Sequence, residues 1–421
     1  MLTSFNFQLM QSTVAISANT QYFVELEEQY GAHNYHPLPV VLERGEGVFV
    51  YDVDNKRYYD FLSGYSAVNQ GHCHPEIVAA FINQARKLTL TSRAFYNDQL
   101  GEFEKYITSY FGYDKVLPMN TGVEAVETAI KLCRRWGYDI KGIPANKAKI
   151  IVCENNFHGR TGMVISFSSD PSSYTGFGPF MPGFEIIPYN DLRALETALA
   201  DKNTAGFLVE PIQGEAGVVV PDEGYLSRAK QYCEAANVLF MADEIQTGLC
   251  RTGKLLCVDH EAVKPDILIL GKALSGGMMP VSAVLANDEI MLTIRPGEHG
   301  STYGGNPLAC AVAVVSLEVL KKESLAENAE TMGTLFRNEL ISRRFPQISA
   351  IRGKGLLNAI EISSSGKDVA WNLCLNMKDR GLLAKPTHGN KIRFAPPLVI
   401  SEEQVMEAVN IISESLNSLR E

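Results

Sequence analysis

Lys272 lies at the mouth of an apolar run, Leu268–Gly277 (LILGKALSGG), where it can be held away from water. Desolvation costs an ammonium more than an amine, so burial lowers a lysine pKa from about 10.4 toward neutrality. A neutral lysine can form a Schiff base with an aldehyde. Upstream, Val238–Glu244 (VLFMADE) is a second apolar run, and it ends in Asp243. A carboxylate there can keep a pyridine nitrogen protonated, so that the ring absorbs electrons. An amine for the aldehyde and an acid for the ring nitrogen, each at a strand end, are what pyridoxal 5′-phosphate requires.

Two further motifs have residue types suited to the rest of such a site. Asn120–Glu127 (NTGVEAVE) is a polar, glycine-containing turn entering a helix. Backbone amides at a helix N-terminus suit a phosphate, and the same residues also suit an ordinary cap by Thr121 or Asn120. Asn156–Arg160 (NFHGR) offers Phe157 to a flat ring and Arg160 to a carboxylate, although a core phenylalanine and a surface arginine fit the motif equally. Gly71–Pro75 (GHCHP) places two histidines and a thiol together. No second cluster completes a tetrahedral set, so a turn is expected there and no metal.

These residues need a scaffold that gathers strand ends. Nearly continuous apolar runs at Lys149–Cys153, Gly206–Glu210, Val238–Asp243 and Asp266–Leu270 read as parallel strands covered on both faces. Helical patterns at Glu76–Leu88, Glu124–Trp136, Tyr225–Ala236 and Pro307–Lys321 alternate with them. The fold class is therefore α/β: a large, central, mostly parallel sheet with a smaller α+β domain. The expected division is an N-terminal arm and small sheet over 1–75, a large α/β domain over 76–323 and a C-terminal α+β domain over 324–421. In the first segment Val40–Gly45, Val48–Asp52 and Tyr58–Leu62 are the expected strands. In the last, a helix near Leu325–Arg343, strands near Gly355–Ile362 and Lys391–Phe394, and a helix from Glu402 are expected. Open α/β sheets bind ligands at strand carboxyl ends, where Glu210, Asp243 and Lys272 fall.

A chain of 421 residues, 46% of them hydrophobic, can fill a substantial core. Its net charge of −10 argues against a nucleic-acid partner. No apolar run reaches the roughly 18 residues of a membrane span. The eight cysteines are scattered without a Cys-x-x-Cys pair and read as reduced thiols. Met1–Thr20 is uncharged and reads as a partly ordered arm. It lacks the basic start of a signal peptide and the arginines of a transit peptide, so a cytoplasmic location is expected, with a trimmed organellar enzyme as the alternative.

In this order, Glu210–Glu215 (EPIQGE), Asp243–Gly248 (DEIQTG), Lys272 and His299–Pro307 (HGSTYGGNP) resemble the class III, pyridoxal-phosphate-dependent aminotransferases of fold type I, over nearly the whole chain. The resemblance implies that Lys272 holds the cofactor aldehyde and shuttles the proton. Asp243 would pair with the pyridine nitrogen, Gln246 with the ring hydroxyl and Phe157 with the ring face. Gly122 and Val123 would hold the phosphate, joined by Ser301 and Thr302 from the neighbouring subunit of a homodimer with shared active sites.

Within the class, Asn34–Pro37 (NYHP) and Ser63–Tyr65 (SGY) resemble the ornithine enzymes, whereas acetylornithine and 4-aminobutyrate relatives typically carry an aliphatic residue in place of Tyr65. The resemblance implies that Tyr35, Tyr65 and Arg160 receive the α end of L-ornithine. Glu215 would mask Arg393 until 2-oxoglutarate arrives. The implied reaction is ping-pong transfer of the δ-amino group, with acetylornithine or 4-aminobutyrate as alternative donors.

Overall fold

Residues 16–363, 366 and 368–420 are described by the computed structural model. The strands Lys149–Cys153, Thr204–Val209, Leu239–Asp243 and Ile267–Leu270 lie side by side, in parallel, at the centre of a seven-stranded sheet. Residues on both of their faces are buried, which is why these segments read as unbroken apolar runs rather than as alternating ones. Phe184–Ile187 extends the sheet in parallel at one edge.

At the other edge Ser282–Ala286 runs antiparallel between Ile267–Leu270 and Lys115–Met119. These three flanking strands were not expected from the sequence. Ser282–Ala286 and Lys115–Met119 are short, and they pair with each other across more than 160 residues of chain. Their placement depends on tertiary pairing, which a local pattern does not encode.

Helices close both faces. Gly122–Asp139 presents Ala125, Val126, Ala129, Ile130 and Cys133 to one of them. It begins where Thr121 and Glu124 form a capping box, so its start is fixed by the sequence itself. Tyr225–Ala235 and Pro307–Lys322 contribute to the larger cluster on the opposite face.

The small sheet departs from the expected segmentation. Leu42–Glu46, Phe49–Asp52 and Arg57–Asp60 form a meander whose fourth strand is Leu382–Leu383, added in parallel. The segments 1–75 and 324–421 therefore share a sheet. A two-residue strand more than 300 residues away carries no periodic signal. The rest of the C-terminal segment forms an antiparallel sheet in the order Ile348–Lys354, Leu357–Ile362, Lys391–Phe394, Lys385–Thr387. It is packed by the helices Leu325–Ser342 and Val369–Asp379, and Glu402–Asn417 lies against those two helices.

Of the N-terminal arm, Ala18–Tyr30 is a helix capped by the Ser17 hydroxyl, and residues 1–15 lie outside the described residues.

Candidate active site

Four adjacent parallel strands deliver their next residues to the carboxyl end of the sheet, and a cleft of about 280 Å³ opens there. Lys149–Cys153 leads to Phe157 and His158, Thr204–Val209 to Glu210, Leu239–Asp243 ends at Asp243, and Ile267–Leu270 leads to Lys272. The N-terminus of the helix Gly122–Asp139 borders the same cleft through Gly122 and Val123.

Lys272 has a left-handed φ of 45°, a conformation that strains a side-chain-bearing residue and is common where function fixes the backbone. Burial pushes its ammonium down to about 8, against the pull of Glu215, while Arg393 lowers it further. Asp243 is held from two sides. Its Oδ2 accepts from His158 Nδ1 at 2.7 Å and its Oδ1 accepts from the Ile245 amide at 3.1 Å. Burial works against the charged form of His158, but the hydrogen bond and charge of Asp243 outweigh it and raise the imidazole above its ordinary range. His158 Nε2 is buried with no partner among the described residues. Glu210 accepts from the Phe157 amide at 2.9 Å, and burial lifts its carboxyl to about 8, against the pull of His158. The backbone at Gly159, with φ of +126°, brings this loop against Val123, where a Cβ would fall 2.5 Å from a valine methyl.

On the other side, Arg393 donates to Glu215 Oε1 at 2.5 Å, and its guanidinium lies 5.3 Å from the centre of the Tyr65 ring. Gln246 Nε2 donates to Glu215 Oε1 at 3.2 Å and to the Tyr65 carbonyl at 3.4 Å. Burial penalises the Glu215 carboxylate, yet Arg393 and Lys272 hold it below the ordinary range. Arg160 sits over Phe157, 5.6 Å from the ring centre.

Lys272, Asp243, Gly122, Val123, Phe157, Gln246, Arg160, Glu215 and Tyr35 all line the cleft. Arg393 and Tyr65 join it through Glu215 and Gln246. Ser301 and Thr302 do not line it. The Ser301 hydroxyl accepts from Asn120 Nδ2 at 2.8 Å, and Thr302 is exposed. His158 and Glu210 also line the cleft, beyond the residues expected from the sequence. Glu210 stood at a strand end and could have been included on that ground. His158 had no signal beyond its place beside Phe157. The histidines of the GHCHP turn engage different acids, His72 with Asp60 at 2.8 Å and His74 with Glu323 at 2.9 Å. Among the described residues, no helix is long and apolar enough to cross a membrane.

The aminotransferase class-III family model matches residues 30–416. The mitochondrial ornithine aminotransferase of Drosophila melanogaster is 64% identical over 97% of this chain and 94% of its own length. A solved acetylornithine aminotransferase from Elizabethkingia anophelis is 60% identical, with a TM-score of 0.87 over 96% of this chain and all of that one. The ornithine aminotransferase of Toxoplasma gondii superposes with a TM-score of 0.94 at 50% identity, covering 95% of this chain and 96% of that one. The fly relative is named mitochondrial, so it lends no support to a cytoplasmic location.

The donor set fits pyridoxal phosphate. It comprises an amine of lowered pKa, a carboxylate oriented by a buried imidazole, an aromatic ring and the first turn of a long helix. By family match and by the chemistry of this cleft, the chain belongs to the class-III aminotransferases, the fold type I enzymes that work with pyridoxal 5′-phosphate.

Proposed function

We infer that the chain transfers the δ-amino group of L-ornithine to 2-oxoglutarate, giving glutamate semialdehyde and glutamate in a ping-pong sequence. The observation that carries this reading is the Glu215–Arg393 pair, closed at 2.5 Å over Tyr65 in the cleft of Lys272. A neutralised arginine offers ornithine no second carboxylate anchor and so does not reward the reversed orientation, in which the α-amine would meet the cofactor. Once Glu215 moves away, Arg393 supplies the second anchor that a dicarboxylate needs. The names of the fly and Toxoplasma relatives support the same donor.

When bound, pyridoxal phosphate supplies an aldehyde and an electron-accepting ring. The chain supplies the rest. Lys272 Nζ holds the aldehyde and moves the proton. Asp243, steadied by His158, keeps the ring nitrogen protonated. Phe157 covers the ring, Gln246 meets its hydroxyl, and Gly122 and Val123 take the phosphate. Tyr35, Tyr65 and Arg160 receive the charged α end of ornithine. The active unit is a homodimer in which Ser301 and Thr302 complete the neighbouring subunit's phosphate site.

The Elizabethkingia relative bears an acetylornithine name at 60% identity, which makes N-acetylornithine the competing donor. Acetylation removes the α-ammonium, and the Tyr65 hydroxyl then loses the charge it would otherwise receive. The discriminating experiment adds L-ornithine, N-acetylornithine or 4-aminobutyrate to the yellow holoenzyme without a keto acid and follows the visible spectrum. Bleaching by ornithine alone is expected. Bleaching by N-acetylornithine in preference would overturn the donor assignment while leaving the cofactor in place.

A further inference from the structure

The two strands Lys385–Thr387 and Lys391–Phe394 pair antiparallel, with Lys385 opposite Arg393 and Thr387 opposite Lys391. Cross-strand partners project from the same face of a sheet, and so do residues two apart on one strand. Four side chains therefore share a face, and three of them grip one turn. Arg393 holds the Glu215 carboxylate. The Thr387 hydroxyl donates to the Glu215 carbonyl at 2.6 Å, and the Lys391 ammonium donates to the Ala216 carbonyl at 3.2 Å. The preceding residue passes close against Gln246, because a Cβ on Gly214 would fall 1.6 Å from its Oε1. The backbone of the turn is thus held by Thr387 and Lys391, so a move away from Arg393 falls to the Glu215 side chain.

Lys385 is the fourth member of that face, and it is half-buried. Its ammonium lies 5.7 Å from the centre of the Tyr35 ring, and among the described residues it makes no hydrogen bond or ion pair. Burial holds it below the ordinary lysine range, and the charge of Glu215 draws it back up. A carboxylate leaving Arg393 would otherwise remain in the cleft without a cation, a costly arrangement. Cross-strand neighbours lie only about 5 Å apart at Cβ, within the sweep of a glutamate side chain.

We propose that Lys385 is the alternate partner of Glu215, receiving its carboxylate when an incoming dicarboxylate takes Arg393. The proposal rests on the donor and acceptor assignment above and makes Lys385 a positioning residue for the acceptor half-reaction.

The test uses holoenzyme carrying Lys385→Met or Lys385→Arg, each also in a Glu215→Ala background. Binding of glutarate, an unreactive dicarboxylate, is read by calorimetry. The two half-reactions are followed separately by stopped-flow absorbance with ornithine and with 2-oxoglutarate. Lys385→Met is expected to weaken glutarate and raise the half-saturating 2-oxoglutarate concentration by about tenfold, the scale of one partly shielded ion pair. The ornithine step should change much less, and Lys385→Arg should restore the acceptor step. In the Glu215→Ala background no carboxylate needs a new partner, so the effect of Lys385→Met should vanish. An equal loss in that background would overturn the proposal, because Lys385 would then bind the dicarboxylate itself. A loss confined to the ornithine step would overturn it too. Failure of the donor assignment reads differently: the unmodified holoenzyme would not bleach with ornithine, while the glutarate coupling between Lys385 and Glu215 would still be measurable.

Discussion

In the proposed reaction, the chemistry of the cleft turns on how readily Lys272 sheds its proton. Burial lowers its pKa to about 8, and Arg393 adds to this, although Glu215 and Asp243 pull the other way. The sign for a base is direct: lowering the pKa enlarges the neutral fraction at any pH below the ordinary lysine value. Below pH 8 the neutral amine still grows about tenfold with each pH unit, and above that it saturates. The rate at which apoprotein takes up pyridoxal phosphate should therefore climb from pH 6 and level off near pH 8. Stopped-flow formation of the yellow complex measures it. A break near pH 10 instead would mean that the amine is as well solvated as a surface lysine. The placement of Lys272 and Asp243 at neighbouring strand ends was legible in the sequence because each follows or ends an apolar run. His158 was not legible, since its hydrogen bond reaches Asp243, 85 positions later, past the intervening strand Thr204–Val209.

At the scale of elements, the cleft depends on how the central sheet is joined to the C-terminal one, and Arg251 makes that joint. It is fully buried, and among the described residues it forms no ion pair. Its guanidinium donates to the carbonyls of Leu356 at 3.0 Å and Pro396 at 2.6 Å and to Asn69 Oδ1 at 2.6 Å. Leu356 precedes the strand Leu357–Ile362, and Pro396 follows Lys391–Phe394, the strand that carries Arg393. Burial pushes Arg251 down to about 9, the cost of placing a cation among neutral acceptors. Arg251→Met keeps the volume but leaves three buried acceptors unpaired, so a loss of about 3–5 kcal/mol is expected. Urea unfolding would show it as a lower midpoint, together with weaker dicarboxylate binding as the Arg393 strand shifts. A loss below about 1 kcal/mol would rule Arg251 out as the joint. The central strands were readable because burial on both faces leaves a continuous apolar run. The joint was not, because a buried arginine looks like any surface arginine until its acceptors, drawn from three distant segments, are assembled around it.

For the whole molecule, the decisive question is whether one chain makes a complete site. Within a single chain, Ser301 and Thr302 lie outside the cleft while the helix N-terminus at Gly122 borders it. Large apolar side chains at Phe95, Tyr96 and Tyr303 are exposed, which suits a surface that a second copy covers. In the proposed homodimer each cleft combines Lys272 of one chain with Ser301 and Thr302 of the other. Co-expressing Lys272→Ala with a Ser301→Ala/Thr302→Ala chain, each with its own tag, separates the arrangements. Each homodimer would be impaired at both sites. If the loop crosses between chains, the hybrid has one site carrying every lesion and one carrying none. Doubly tag-purified hybrid should then recover about half of the unmodified activity per dimer, since one of its two sites is intact. If the loop serves its own chain, both sites of the hybrid are damaged and nothing is recovered. A preparation that yields no doubly tagged species, or a hybrid as inactive as its parents, would remove the shared site and with it the phosphate role of Ser301 and Thr302.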